Sequence, residues 1–442
     1  MLRTGANHGF AADPDLPNRD TLLDADAVAQ RLSRILGGDR RLGITGCSLI
    51  RAKYRIGESL RVVYRLDIGG SGHLVAARAF RGEESLGAVR RAEPLAVASG
   101  PLRPVAHDPE LGAVWWSFPN DRKLRGLGAL LRPAPDVTAP LHGLSPWTVS
   151  QVVEYAPERS VTLRAVGADG SASAYVKAYA PGSIDLPALA RRYAFVSRAL
   201  RRSPAAVGSP EPLWWSDTHQ ALLLQAMPGR PWNQLAPGSV VGALRRLGTA
   251  IATLHATWLP TDDEAGPLRM SRAFARFRRL DTSRILRSAE LIGRARPDAA
   301  TAARRLADDL SSGSPRYAEP VLLHGDCHPK NALLAGGQVA LIDLDQAGIG
   351  PPAADLGSLL ARLELARLVE GTDTTDWAAA VLDGYADVRP PPPAQSLAWH
   401  TSAALLAEQA MRAVNRVRPE TLDHLAELLA LARTGLRRRV AS

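Results

Sequence analysis

Residues 321–360 read VLLHGDCHPKNALLAGGQVALIDLDQAGIGPPAADLGSLL. The apolar run Val321–Leu323 has the length and composition of a buried strand, and it delivers His324, Gly325 and Asp326 into a polar loop. Asn331 follows five residues after Asp326. Gly336-Gly337 marks a tight turn into a second apolar strand, Val339–Ile342, which ends in Asp343 and Asp345. Asp355 then opens a helix. Polar side chains at the ends of apolar strands are held by rigid backbone, which is the placement catalysis needs.

Phosphoryl transfer from a nucleotide requires three things of a protein, and this stretch can supply them. A carboxylate must reach the acceptor hydroxyl and take its proton. Hard oxygen ligands must hold Mg²⁺, which takes one or two carboxylates and completes its shell with phosphates and water. Base and metal ligands must be separate, so that the ion does not neutralise the base. Asp326 suits the base, and Asn331 with Asp343 suits the metal.

Outward from this island, the sequence divides. Leu60–Phe80 (LRVVYRLDIGGSGHLVAARAF) reads as two strands around a Gly-Gly-Ser-Gly turn. Ser160–Tyr179 (SVTLRAVGADGSASAYVKAY) repeats the pattern around Asp-Gly-Ser. Each hairpin follows a short strand and loop, runs into an Arg-rich helix (83–97 and 186–200) and ends in an apolar strand (112–118 and 221–226). The order β-β-β-α-β-β occurs twice, which predicts an internal duplication. Beyond Pro237 the apolar spacing becomes helical, with Ser239 as N-cap of a helix over 239–257. Further helices are predicted at 271–312, 354–370, 375–386, 395–415 and 419–438.

The chain has 442 residues, 46% hydrophobic and 22% charged, enough for two or three domains with real cores. No uncharged apolar run reaches membrane-spanning length, and the first thirty residues lack the apolar core of a secretory signal. The expectation is a cytoplasmic protein. Cys47 and Cys327 are too few for a disulfide framework or a thiolate zinc site. The net charge of +10 admits anionic partners. Only four of the 54 basic residues are lysines: Lys53, Lys123, Lys177 and Lys330. In so Arg-rich a chain, a retained lysine points to a place that needs a compact ammonium.

The motif His-Gly-Asp-x-His-x-x-Asn, followed by Ile-Asp-x-Asp and Asp-Leu-Gly, resembles the signature of the aminoglycoside phosphotransferase and choline kinase superfamily. The resemblance implies an α+β, bilobal protein-kinase-like fold. The expected domains are a cap at 1–140, a nucleotide-binding N-lobe at 141–235 and a mainly helical C-lobe at 236–442. The cap would be an extra antiparallel-sheet domain, a degenerate copy of the N-lobe. The expected reaction is ATP- and Mg²⁺-dependent transfer of phosphate to a hydroxyl of a small molecule, such as an aminoglycoside, a sugar or an amino alcohol.

By the same resemblance Asp326 is the catalytic aspartate, and Asn331 and Asp343 bind metal with Asp345 assisting. Lys177 grips the α- and β-phosphates. Residues 225–231 form a hinge whose backbone holds adenine, with Gln225 and Met227 as contacts. His324, His328 and Asp355 shape the catalytic loop. Lys330 is open to two readings, γ-phosphate contact or solvated surface. Gly325 stands where protein kinases place an arginine that reads a phosphorylated loop, so no such switch is implied.

Some residues depart from the family pattern. The loop 156–160 that would cover the phosphates is not glycine-rich. The helix after Lys177 (LPALARRYAFVSRAL) carries no glutamate to pair with it, and Asp185 just before it is the candidate substitute. In the first copy Arg78 replaces the lysine. The missing glutamate motivates a second reading, a nucleotide-binding pseudokinase acting as regulator or scaffold. The Trp115-Trp116 and Trp214-Trp215 pairs read as sheet packing, Cys327 as an inert thiol, and the Arg-rich stretches 272–296 and 437–439 as solvated helix faces. No aromatic interleaving marks a nucleic-acid groove. The sequence does not fix an oligomeric state.

Overall fold

Alternating apolar residues around glycine turns produce the strands expected, in a computed structural model. It describes all of the chain except residues 1–8, 38–41, 83, 99, 132–148, 167–171, 258–279, 314, 316–318, 372 and 439–442. The predicted Asp-Gly-Ser turn, the 140/141 boundary, the start of the 271–312 helix and Arg439 therefore lie outside the described residues. The chain divides into two compact units. One comprises 1–186, 213–224 and 413–419; the other comprises 187–212, 225–412 and 420–442.

The first unit contains two five-stranded sheets. In one, β1 (Ile44–Arg55), β2 (Ser59–Ile68), β3 (Ser71–Phe80), β4 (Val105–Asp108) and β5 (Ala113–Ser117) lie in the order β1-β2-β3-β5-β4. The other is built from β6 (Val149–Ala156), β7 (Ser160–Val166) and β8 (Ala172–Tyr179), with two later strands. After β9 (Val207–Gly208), which belongs to the second unit, come β10 (Pro212–Ser216) and β11 (Ala221–Gln225). Their sheet order is β10-β11-β8-β7-β6. Read in chain order, both sheets follow one pattern: a three-strand meander, then a return in which the last strand joins the third.

The first strand of each meander carries a bulge, near Ile50 and near Val153, and both residues turn outward. Side chains from the two sheets share one core, including Val63, Trp116, Tyr155, Leu163 and Val176. Trp115 and Trp116 are buried as expected, and the Trp116 indole donates to the Tyr155 hydroxyl at 2.7 Å. Trp215, by contrast, is exposed. Helix α1 (Ala25–Ile35) is capped by Asp24, whose carboxylate accepts from the backbone of Asp26 and Ala27. The second helix, α2, spans Glu84–Ala92.

The turn between β6 and β7 is tied to the first sheet. Glu158 sits there at φ 59°, with its side chain fully buried. Its carboxylate accepts from Arg61 at 2.9 Å and Arg78 at 2.7 Å, and also from Arg122. The Glu158 amide donates to Asp121, which accepts as well from the Tyr155 hydroxyl. Arg78, the residue in the lysine position of the first copy, thus serves as a partner for a buried carboxylate. Burial would raise the Glu158 pKa, but the charges of Arg78, Arg122 and Arg61 outweigh it and hold it below its ordinary value.

In the second unit, helix α3 (Leu186–Arg202) is followed by α4 (Val240–His255), α5 (Thr282–Ala295) and α6 (Ala300–Ser312). After the β-rich island come α7 (Pro352–Glu370), α8 (Thr375–Ala386), α9 (Ala394–Ala404) and α10 (Leu425–Arg438). Helices α4 and α8 approach so closely that a Cβ on Gly248 would meet the Val381 carbonyl at 2.0 Å. One on Gly384 would meet the Arg245 carbonyl at 1.9 Å.

Several boundaries differ from the sequence reading. Ser239 makes no side-chain cap to α4. The helix expected over 271–312 is interrupted at Pro297, whose ring removes a backbone donor. The 395–415 helix opens into a π-helical turn at Leu405–Ala410, and the 419–438 helix divides at His424.

Glu158→Gln should leave three guanidinium groups around a neutral amide and cost about 3–5 kcal/mol, read from denaturant unfolding. Because the folded carboxyl titrates below its ordinary range, its contribution is complete above that range and is lost as pH falls through the folded value. The wild type should therefore lose stability on acidification more steeply than the Gln variant.

Candidate active site

The island forms two small strand pairs within the second unit. Strand β12 (Arg230–Pro231) pairs with β14 (Ala332–Ala335), which pairs with β15 (Gln338–Leu341), which pairs in parallel with β9. The strand predicted before the loop is β13 (Val321–Leu323), and it pairs with β16 (Gly348–Gly350). His324, Gly325 and Asp326 leave the end of β13, and Asp343 and Asp345 follow β15.

One buried carboxylate organises this loop. Asp355, in the first turn of α7, is 1% exposed. It accepts from the backbone amide of His324 at 2.6 Å and from that of Gly325 at 2.9 Å. His255, at the end of α4, lies 3.1 Å from the same carboxylate, and its other ring nitrogen lies 2.9 Å from the Tyr385 hydroxyl. Burial alone would raise the Asp355 pKa, but the His255 hydrogen bond, the His255 and His324 charges and the Gly325 amide hold it below the ordinary value.

Gly325 has φ 80°, and a Cβ there would meet the Gln346 carbonyl at 1.9 Å. No side chain fits that position. His324 is buried, with Nε2 2.9 Å from the Ile342 carbonyl and Nδ1 3.4 Å from the Asp326 amide. The ring bridges the loop to the segment that carries Asp343.

Asn331 completes the link. Its amide nitrogen donates to the Asp326 carbonyl at 3.0 Å, and its carbonyl accepts from the Ile342 amide at 2.9 Å. Asp343 is held in the left-handed region at φ 62°, ψ 55°, a strained conformation for a non-glycine residue. Named hydrogen bonds thus bring Asp326, Asn331, His324 and Asp355 together and tie them to Ile342, the residue before Asp343.

His328 caps the short turn Pro329–Asn331 by accepting from the Lys330 amide through Nδ1 at 3.1 Å. Burial, and next the Arg362 charge, lower its pKa to about 3, so it is neutral. Cys327 is fully buried and its thiol is pushed up by burial, in keeping with an inert role. Lys330 is exposed.

Asp345 lies close to α3. Its carboxylate accepts from the Tyr193 hydroxyl at 2.8 Å and its carbonyl from Arg192, while the Tyr193 oxygen accepts from the Leu344 amide at 3.0 Å. The helix that lacks a glutamate therefore holds this segment with a tyrosine and an arginine.

Lys177 belongs to the first unit. It stands half-buried on β8, opposite Thr162, which is opposite Glu154 on β6. Burial would raise the Glu154 pKa, but Arg51, Arg416 and Lys177 together lower it. Gln225 is exposed at the end of β11, with its backbone N–H donating to the Glu211 backbone carbonyl at 2.9 Å. Met227 lines a cavity of about 240 Å³ together with Val207, Gly208 and Val339.

Residues the sequence reading passed over also reach the site. Arg362 Nη2 lies 3.1 Å from Asp326 Oδ1, and Arg412 lies 3.7 Å from the same oxygen. His255, Tyr385, Arg192 and Tyr193 came with no local signal, since each acts across a hundred or more residues of sequence.

Residues 158–397 match the phosphotransferase enzyme family, APH. The chain belongs to that family. Among solved structures it is similar to a macrolide 2'-phosphotransferase from Brachybacterium faecium, at 20% identity, 70% coverage of this chain, 97% of that one and a TM-score of 0.43. A choline/ethanolamine kinase family protein from Mesorhizobium loti is 16% identical, with 70% and 93% coverage and a TM-score of 0.44. An aminoglycoside phosphotransferase from Streptomyces rimosus is 20% identical, with 64% and 98% coverage and a TM-score of 0.43. No curated protein matches the chain. Among the described residues, no helix is long and apolar enough to cross a membrane.

Replacing Asp355 with Ala should leave two buried amides and His255 without their shared acceptor, at a cost of about 3–5 kcal/mol. The expected signature is a lowered Tm with early hydrogen exchange at the His324 and Gly325 amides. For His328 the depressed value predicts a ring that stays neutral from pH 5 to 8, visible as carbon or proton shifts that do not move over that range. Its stability contribution is complete above the ordinary histidine pKa and declines as pH falls below it.

Proposed function

We propose that the protein is an ATP-dependent O-phosphotransferase for a small hydroxylated molecule, with Asp326 as the base. The observation that supports this most directly is the coupling of three residues through Asn331. Its side chain is bonded to the Asp326 carbonyl and its backbone to Ile342, next to Asp343. The loop that carries Asp326 and the segment that carries Asp343 are thereby joined at Asn331.

In this reading Asp326 orients the acceptor hydroxyl and takes its proton as the oxygen attacks the γ-phosphorus. Asn331 and Asp343, with help from Asp345, would hold Mg²⁺. Their donor chemistry fits: one amide, one carboxylate and the nucleotide's own phosphates make the oxygen shell that ion prefers. Among the described residues, no three of His, Cys, Asp and Glu gather into a metal site of their own. When bound, Mg²⁺ would offset charge on the β- and γ-oxygens.

Lys177 is assigned to the α- and β-phosphates, the backbone near Gln225 and Met227 to the adenine, and Lys330 to the γ-phosphate end. His324, His328 and Asp355 position the loop. The whole is read as a bilobal kinase-like arrangement at 141–235 and 236–442, preceded by a cap at 1–140. The shared strand order of the two sheets supports reading the cap as a degenerate repeat.

Asp326→Asn should lower the transfer rate about 10²–10⁴-fold with nucleotide affinity nearly unchanged. The measurement is ADP release over an acceptor panel, beside nucleotide titration by calorimetry. Undiminished turnover in that variant would remove Asp326 from the role. Asn331→Ala should instead raise the Mg²⁺ concentration needed for half-maximal rate.

A further inference from the structure

The acceptor must bring its hydroxyl within hydrogen-bond reach of Asp326, so the groups around that carboxylate select what can approach. Arg362, nearly three turns into α7, places Nη2 3.1 Å from Asp326 Oδ1, and Arg412, just past the π-helical turn, lies 3.7 Å from it. Both side chains are mostly buried, at 16% and 29% exposure, as is that of Asp326 at 15%. Two guanidinium groups thus face one carboxylate in a partly desolvated place, where charge acts strongly. Their field extends to His328, whose proton affinity both arginines lower.

Among the described residues, nearby carboxylates have partners of their own. Glu408 accepts from Ser358 at 2.5 Å and is buried. Asp355 is bonded beneath the loop, Asp345 meets Tyr193, and Glu364 pairs with Arg367 on the surface. A cationic acceptor would approach two like charges. An anionic one would meet two forked donors shaped for oxyanions.

We propose that the acceptor carries an oxyanion, a carboxylate or a phosphate, near the hydroxyl that is phosphorylated, and that Arg362 and Arg412 bind it. This rests on the phosphotransferase reading above. The oxyanion draws the guanidinium groups from Asp326 Oδ1, which then accepts the hydroxyl proton. The acceptor oxygen bonds to the γ-phosphorus, the bond from that phosphorus to the ADP oxygen breaks, and ADP leaves. An acceptor lacking the anion leaves Asp326 engaged by arginine.

The test uses one sugar framework at three charges: D-glucose, D-glucuronate and D-glucosamine, with the pair D-glycerate and glycerol 3-phosphate to separate carboxylate from phosphate. Binding to the full chain is read by calorimetry, and transfer by ADP release with Mg·ATP. The anionic members should bind at least tenfold more tightly than their neutral or cationic counterparts. Arg362→Gln and, at the more exposed position, Arg412→Gln should each erase that preference, and Arg362→Lys should restore part of it. Arg367→Gln, on the same helix, should not alter it. Preference for glucosamine, or equal affinity for all three, overturns the proposal while any observed transfer keeps the kinase reading. Arginine-dependent anion binding without transfer to any compound upholds the anion site and counts against the kinase reading. Neither binding nor transfer of the anionic probes overturns the proposal.

Discussion

The site depends on a carboxylate that never meets solvent. Asp355 accepts two consecutive backbone amides and faces His255, and it does so from the first turn of α7, where the helix dipole favours negative charge. Two successive amides can point at one carboxylate only if the chain turns sharply after the first. Gly325 makes that turn at positive φ, with the Gln346 carbonyl pressed against the space a side chain would fill. The position of Asp326 is therefore set by its neighbours before any ligand arrives. His324 extends the same constraint to Ile342, tying the segment that bears Asp343 to the loop.

Such a network explains which parts of the molecule were legible in the sequence. His324, Gly325, Asp326, Asn331, Asp343 and Asp355 fall within 32 residues, and their order records a strand, a loop, a hairpin and a helix start. Period-two hydrophobicity and glycine turns likewise marked both meanders, because strand pairing there is local. The π-helical turn at Leu405–Ala410 and the division at His424 left no such trace. The apolar period barely changes across them, so periodicity does not mark either.

Long-range polar pairs were harder still. The sequence reading looked for a glutamate in α3 and found none; Tyr193 and Arg192 grip Asp345 from that helix instead, through a hydroxyl and a guanidinium. A tyrosine in an amphipathic helix reads as core, and only its partner 152 residues away distinguishes it. Glu158 is similar. As one residue of a turn it looks solvated, yet three arginines of the first sheet surround it. Arg78, read as a lysine lost from a degenerate copy, has a structural partner that a lysine would serve less well, since the planar fork can share one carboxylate with two neighbours.

Composition itself obscured Arg362 and Arg412. Where arginine makes up 50 of 54 basic residues, another arginine on a helix carries almost no information, and solvated surface is the natural reading. The physical distinction is burial. Arg245, exposed and paired with Asp387, has water as an alternative partner and gives up little when the pair breaks. Arg362, largely shielded and directed at Asp326, lacks that alternative to the same degree, so a competing oxyanion gains what water could not. A carboxylate flanked in this way is occupied by its two arginines. In the proposed reaction, what vacates it is a ligand that satisfies the arginines, which would link recognition of the acceptor to exposure of the base.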